Sequence, residues 1–186
     1  MPPLRSLCVF CGSRSGQDPA HAAAAEALGR AIGARGWRLV YGAGDVGLMG
    51  IVARAAQAAG APALGVIPIG LIAREQGRRQ ISQFVITEDM HERKKVMFMN
   101  SDAIAVLPGG AGTLDEFFEV VTWRQIGLHR KPVYLLDVNG YWQPLVALVG
   151  HLIAQGFAED SLRDYFTTVT DVAALEARLD ADFPAA

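Results

Sequence analysis

Short apolar runs alternate along the chain with stretches whose apolar residues recur at helical spacing. The runs near Leu4–Phe10, Trp37–Tyr41, Ala63–Ile67, Phe84–Thr87, Ala103–Leu107 and Val133–Leu136 have the length and composition of buried parallel strands. Asp18-Pro19 marks a helix start, a capping carboxylate followed by a residue preset for the first turn. The Ala-rich helix it opens ends near Gly36. Further helices are predicted over Leu48–Ala59, over Met90–Asn100, after Leu107 and over Gln143–Gln155. A short strand at Thr167–Val169 and a helix from Asp171 follow. Pro68–Ser82 is irregular and charged (Arg74, Glu75, Arg78, Arg79) and reads as a loop or lid. No repeat or linker interrupts the pattern, so residues 1–186 are expected to form one domain. Alternating strands and helices predict the α/β class: a doubly wound, mostly parallel sheet flanked by helices. Ligands then bind at the carboxyl ends of the strands, where the glycine turns fall.

One stretch dominates. Ala103–Leu107 is a strand, Pro108-Gly109-Gly110-Ala111-Gly112-Thr113 is a turn with three glycines, and residues 117–126 have helical apolar spacing. Glycine lets a ligand approach the backbone closely. Free N–H groups beside the positive end of a helix dipole make an anion site, and phosphate is its usual tenant. A second reading of the same residues is structural. Thr113-x-x-Glu116 has the form of a capping box, in which both side chains tie off a helix start. A capping box, however, does not require Gly109, Gly110 and Gly112 in front of it.

Composition narrows the function classes. Half of the chain is apolar (51%) and 19% is charged, as in a globular protein. A net charge of −2 without basic runs gives no general affinity for nucleic acid. No signal-peptide pattern or membrane-length apolar run is present, so a cytoplasmic protein without a membrane partner is the expectation. Cys8-Val-Phe-Cys11 invites a redox or zinc reading, but it ends an apolar strand and no second cysteine pair exists.

Other constellations add detail. Gly42-x-Gly44-x-x-Gly47 follows a strand and opens a helix, the pattern of a dinucleotide fingerprint. It follows the second strand, and the third ends without an acidic residue for a ribose hydroxyl. A mononucleotide or phosphate role fits it better than a dinucleotide, and a tight strand-to-helix connection is the plain alternative. Gly12-Ser13 is a third small-residue turn after a strand. On Met90–Asn100, Met90, Met97 and Phe98 are apolar and draw Arg93 and Lys94 toward the interior or a cleft. There Arg93 and Lys94 would face an anionic substrate; the alternative is a pair of buried stems with solvated heads. Histidines 21, 91, 129 and 151 lack metal spacing and read as surface or capping residues, so no metal site is expected.

The motifs in order resemble the Lonely Guy (LOG) family of cytokinin riboside 5′-monophosphate phosphoribohydrolases. The residues that carry the resemblance are Cys-Val-Phe-Cys-Gly-Ser (8–13), Leu-Val-Tyr-Gly-Ala-Gly-Asp-Val-Gly-Leu-Met-Gly (39–50), Asp-Met-His-Glu-Arg-Lys (89–94), Leu-Pro-Gly-Gly-Ala-Gly-Thr-Leu-Asp-Glu (107–116) and Thr-Trp-Arg-Gln-Ile-Gly-Leu-His-Arg-Lys-Pro (122–132). Ala43 stands where a third consecutive glycine is common in the family. The resemblance implies a Rossmann-like fold and a homodimer. It also implies hydrolysis of the N-glycosidic bond of an N6-substituted adenosine 5′-monophosphate without a cofactor. By motif match it gives Arg93 and Glu116 the catalytic places. Glu75, Lys94, Gly109, Gly110, Ala111, Gly112, Thr113, Leu114, Asp115 and Thr122 take substrate-binding places, with Gly12, Ser13, Gly42 and Gly44 lining the neighbouring turns. A broader purine-nucleotide nucleosidase and a nucleotide-binding protein without catalysis remain alternatives at this point. A pyridoxal-dependent decarboxylase, the label family members have carried, would need an anchoring lysine, and only Lys94, Lys95 and Lys131 exist.

Overall fold

The computed structural model describes residues 5–72 and 82–184. Seven strands form one sheet: β1 (Ser6–Phe10), β2 (Arg38–Tyr41), β3 (Ala63–Pro68), β4 (Gln83–Thr87), β5 (Ala103–Val106), β6 (Val133–Leu136) and β7 (Thr167–Val169). Their order is β4-β3-β2-β1-β5-β6-β7, and every pairing is parallel. The sheet is therefore wholly parallel among the described residues, where the sequence predicts mostly parallel. The helices are α1 (Pro19–Ala34), α2 (Gly47–Ala58), α3 (Met90–Met99), α4 (Ala111–Gln125), α5 (Gln143–Ala154) and α6 (Val172–Asp182).

Strand alternation divides the core into two layers. Leu7, Val9, Leu39, Tyr41, Ala103 and Ala105 face α1, α2 and α6 through Leu28, Ile32, Val52 and Leu175. Cys8, Phe10, Val40, Val66, Ile104 and Val106 face α3, α4 and α5 through Met97, Phe117, Val121 and Val149. Burial on both faces is the reason the central strands read as unbroken apolar runs. It also settles the cysteine motif: Cys8 and Cys11 belong to opposite layers, and both are free and buried. Burial first, and the Glu116 carboxylate second, push both thiols well above the usual range, the reverse of a reactive thiolate.

The chain reverses direction through the sheet between β1 and β5, which are adjacent. This is the switch point, and loops leaving the two strands at their carboxyl ends splay apart to form a crevice. The predicted loop after β3 begins with a single 3₁₀ turn, Ile69–Leu71. Arg74, Glu75, Arg78 and Arg79 lie outside the described residues. No helix among the described residues is long and apolar enough to cross a membrane.

Candidate active site

Helix starts decide where the site lies. Asp18, Asp89 and Asp171 cap α1, α3 and α6, each accepting a backbone N–H at 2.8 Å. The starts of α2, α4 and α5 have no N-cap side chain bonded to them, and at α5 the Asp137 carboxylate accepts the Trp142 N–H instead. At α2, the Leu48 and Met49 N–H groups both donate to the Gly12 carbonyl, at 3.1 and 3.4 Å. At α4 the N-cap is Gly110, which has no side chain to offer. The N–H groups of the first turn have no acceptor within a helix, so α4 presents donors and its positive dipole end outward.

The position of this start overturns the capping-box reading. The helix begins at Ala111, so Thr113 and Glu116 both lie inside it rather than at its cap and third position. Thr113 is buried against the loop instead. A Cβ on Gly109 would sit 2.1 Å from the Thr113 hydroxyl oxygen, so only glycine fits there.

A cavity of about 860 Å³ opens at the switch point. Pro108 to Thr113 and Glu116 line one side. Arg93, Met90 and Met97 come from α3, Gly42 from the turn after β2, and Leu48 and Met49 from α2. Cys11 to Asp18, His21 and Tyr141 close the remaining rim. The volume is in the range of small-ligand sites.

Arg93 is 4% exposed, which excludes a solvated head. Its Nε donates to the Val66 carbonyl at 3.1 Å and its Nη2 to the Gly42 carbonyl at 2.7 Å. A Cβ on Gly42 would lie 1.9 Å from that Nη2, so glycine is needed for the guanidinium to reach its place. Ala43, in the family's glycine position, takes the left-handed conformation (φ 59°) a glycine would adopt freely. Arg93→Lys keeps the charge but cannot span both carbonyls. At about 1.5–3 kcal/mol per charged hydrogen bond, the expected loss in kcat/KM is at least tenfold to a hundredfold. Steady-state kinetics beside a melting curve checks it, and near-normal kinetics would remove Arg93 from the site.

Other residues named by motif stand apart from the cavity. Lys94 is 6% exposed at its side chain and bridges Asp115 (3.0 Å) and Glu119 (3.1 Å). Burial alone would lower its pKa, but hydrogen bonds and charge from Asp115 and Glu119 outweigh this and raise it. Lys94 thus ties α3 to α4 outside the cavity. Asp115 is held by that pair, Leu114 packs against the α3–α5 layer, and Thr122 is exposed two turns further along α4. Gly44 is not among the lining residues, whereas Gly12, Ser13 and Gly42 are.

His21 corrects the surface reading of the histidines. It is 7% exposed, lines the cavity and meets the Tyr141 ring edge-on at 5.2 Å. The reason is tertiary: a segment after β6 folds over the start of α1, which no local pattern around residue 21 reveals. His129 is also partly buried, with Nε2 2.8 Å from the Val120 carbonyl. Tyr141 lines the cavity without having been singled out in the sequence, and Asp18, read there as a helix cap alone, lines it too. The turn-forming Asn139-Gly140 after a strand was the available signal for Tyr141, since it falls at the same sheet edge as the glycine turns.

The family profile described as "Possible lysine decarboxylase" matches residues 49–179. The chain is 42% identical over 177 residues to a cytokinin riboside 5′-monophosphate phosphoribohydrolase of Arabidopsis thaliana, covering 95% of this chain and 82% of that one. It is 41% identical over 177 residues to a probable enzyme of the same name from Oryza sativa subsp. japonica, covering 95% and 77%. The chain belongs to the LOG family. Among solved structures, a molybdenum cofactor binding protein from Rippkaea orientalis superposes with a TM-score of 0.74 at 18% identity, covering 98% of this chain and 99% of that one. That likeness shows the fold. The "decarboxylase" description finds no support in the cavity. None of Lys94, Lys95 or Lys131 lines it, and Lys131 donates instead to the Phe98 carbonyl at 2.6 Å.

Proposed function

We propose that this LOG-family chain hydrolyses the N-glycosidic bond of N6-substituted adenosine 5′-monophosphates, releasing the free base and ribose 5-phosphate. The observation that carries the reading is one cavity holding a carboxylate, Glu116, and a buried guanidinium, Arg93, beside the uncapped start of α4. Scission of a C–N bond at an anomeric carbon passes through an oxocarbenium-like state. Phosphate on the α4 start would fix the ribose, and Glu116, lying within the second turn of the same helix, would reach the anomeric centre. There its charge stabilises the cation and it can take a proton from the attacking water. Arg93 holds the Gly42 turn and contributes positive charge beside the ribose phosphate. Leu48, Met49, Leu71 and Met90 supply apolar wall for a base with a hydrocarbon N6 substituent.

The test is chromatographic. The protein is incubated with isopentenyladenosine monophosphate and, separately, with AMP, and free base is quantified. Isopentenyladenine released at a higher kcat/KM than adenine supports the reading. Faster release of adenine would make the protein a general purine-nucleotide nucleosidase. No base from either would leave a binding protein. A cytoplasmic homodimer is part of the same proposal. Met99, Ile126 and Leu128 remain exposed at the ends of α3 and α4, where Phe98 meets Trp123 and His129. A single-chain mass in light scattering would contradict the dimer.

A further inference from the structure

The segment between β6 and α5 takes no part in the chemistry above, yet it reaches the cavity. Asp137 follows β6, and its carboxylate accepts the Trp142 N–H at 2.6 Å and a Gln143 side-chain donor, which folds residues 137–143 into a tight strap. At its crest Asn139 sits at φ 52°, a left-handed conformation that non-glycine residues take at a cost. The strap is anchored at two points. Asn139 donates through Nδ2 to Asp18 at 2.9 Å, the same carboxylate that caps α1. Tyr141 donates its phenolic hydrogen to the Gly109 carbonyl at 2.6 Å, 32 residues back in the chain.

That second anchor lands on the turn that opens α4. Two consecutive carbonyls of the turn are satisfied from opposite sides. Pro108 accepts the Gly12 N–H at 3.0 Å, and Gly109 accepts the Tyr141 hydroxyl. With both carbonyls turned toward protein donors, the N–H groups that follow, at the start of α4, are those left to face the cavity. The tyrosine ring is itself held, edge-on against His21 at 5.2 Å and edge-on against Trp142 at 4.8 Å. Pro108 packs its ring into the fold but Gly109 has no side chain, so the orientation of the peptide that follows Gly109 depends on what holds the Gly109 carbonyl.

We infer that Tyr141 is a positioning residue for phosphate. Its hydroxyl, aimed at the Gly109 carbonyl, orients the turn whose N–H groups hold the 5′-phosphate of the substrate. The inference rests on the phosphate reading of the α4 start. It differs from a purely structural role, because loss of the hydroxyl should weaken the phosphate half of the ligand and spare the base half. Tyr141→Phe keeps the ring and its contacts with His21 and Trp142.

The test uses the two products as separate probes. Calorimetry gives the Kd of ribose 5-phosphate and of the free base for the wild-type protein and for Tyr141→Phe, beside kcat and KM for the nucleotide. The expected result is a fivefold to twentyfold weaker Kd for ribose 5-phosphate and a similarly raised KM. The base should bind within twofold of wild type, and the melting temperature should hold. Equal weakening of both probes would make Tyr141 a general structural support, and unchanged ribose 5-phosphate binding would leave it no role in the turn; either result overturns the inference. Wild-type protein that binds ribose no more weakly than ribose 5-phosphate would overturn the phosphate reading itself. That outcome is read before any variant is made, so the two failures are distinct.

Discussion

Glu116→Gln should lower turnover of the nucleotide by about 10²–10⁴-fold, the usual contribution of a general acid–base group. The substitution is nearly isosteric, and glutamine and glutamate have similar helix propensity. Glu116 is half-buried in the second turn of α4, inside the helix rather than at its start, so no cap is lost. Fold stability should therefore stay close to wild type while the charge facing the anomeric carbon disappears. The carboxylate's field is already visible in its surroundings: it helps to raise both Cys8 and Cys11. Measuring turnover together with the melting temperature separates chemistry from folding. A folded variant with unchanged turnover would place Glu116 outside the reaction.

Removing the 5′-phosphate from the substrate should cost more still. The start of α4 offers backbone donors, and hydrogen bonds to a charged group contribute roughly 1.5–3 kcal/mol each. Loss of two or three of them should weaken transition-state binding by several powers of ten, at about 1.4 kcal/mol per decade. Binding energy from a remote group also positions the reacting centre, so kcat should fall as well as KM rise. The comparison is kcat/KM for one N6-substituted adenosine against its 5′-monophosphate. Cleavage of the nucleoside within about threefold of the nucleotide, roughly 0.65 kcal/mol, would refute the phosphate cradle at Gly109–Thr113.

The substitution and the substrate truncation probe different parts of one helix. Glu116 acts through a side chain on its second turn, whereas the phosphate acts on the backbone of its first. Their effects are therefore expected to combine non-additively in a double test, because the phosphate sets the distance from which Glu116 works.

Much of this architecture was legible in the residues alone. The alternation of apolar runs and helical spacing identified the strands to within a residue or two, because parallel strands buried on both faces leave an uninterrupted apolar signature. The helices followed as closely except at the start of α4, which begins at Ala111, several residues before its apolar spacing shows. The glycine turn before α4 was legible for a similar reason: close backbone approach admits one residue type, and Gly109 stands where any Cβ would strike Thr113. Met90 and Met97 on the same helix pointed Arg93 inward; the structure buries Arg93 and Met97 but leaves Met90 exposed at the mouth of the cavity, because it stands at the first position of α3. These are local constraints, each written within one turn or one strand of the residue concerned.

Tertiary structure alone decided which donors remained for a ligand. Both glycine turns looked alike in sequence, yet Gly12 occupies the N–H groups of α2 and leaves those of α4. Lys94 sits beside Arg93 in the same motif, but one position along a helix is a rotation of about 100°, enough to turn it from the cavity to Asp115 and Glu119. His21 and Tyr141 come together from α1 and the segment after β6, 120 positions apart, and Tyr141 reaches Gly109 from the loop after the neighbouring strand. Periodicity and turn chemistry describe a chain's nearest neighbours. Which carbonyl accepts which distant hydroxyl is set by the order of strands in the sheet, and that order appears only when the whole core has formed.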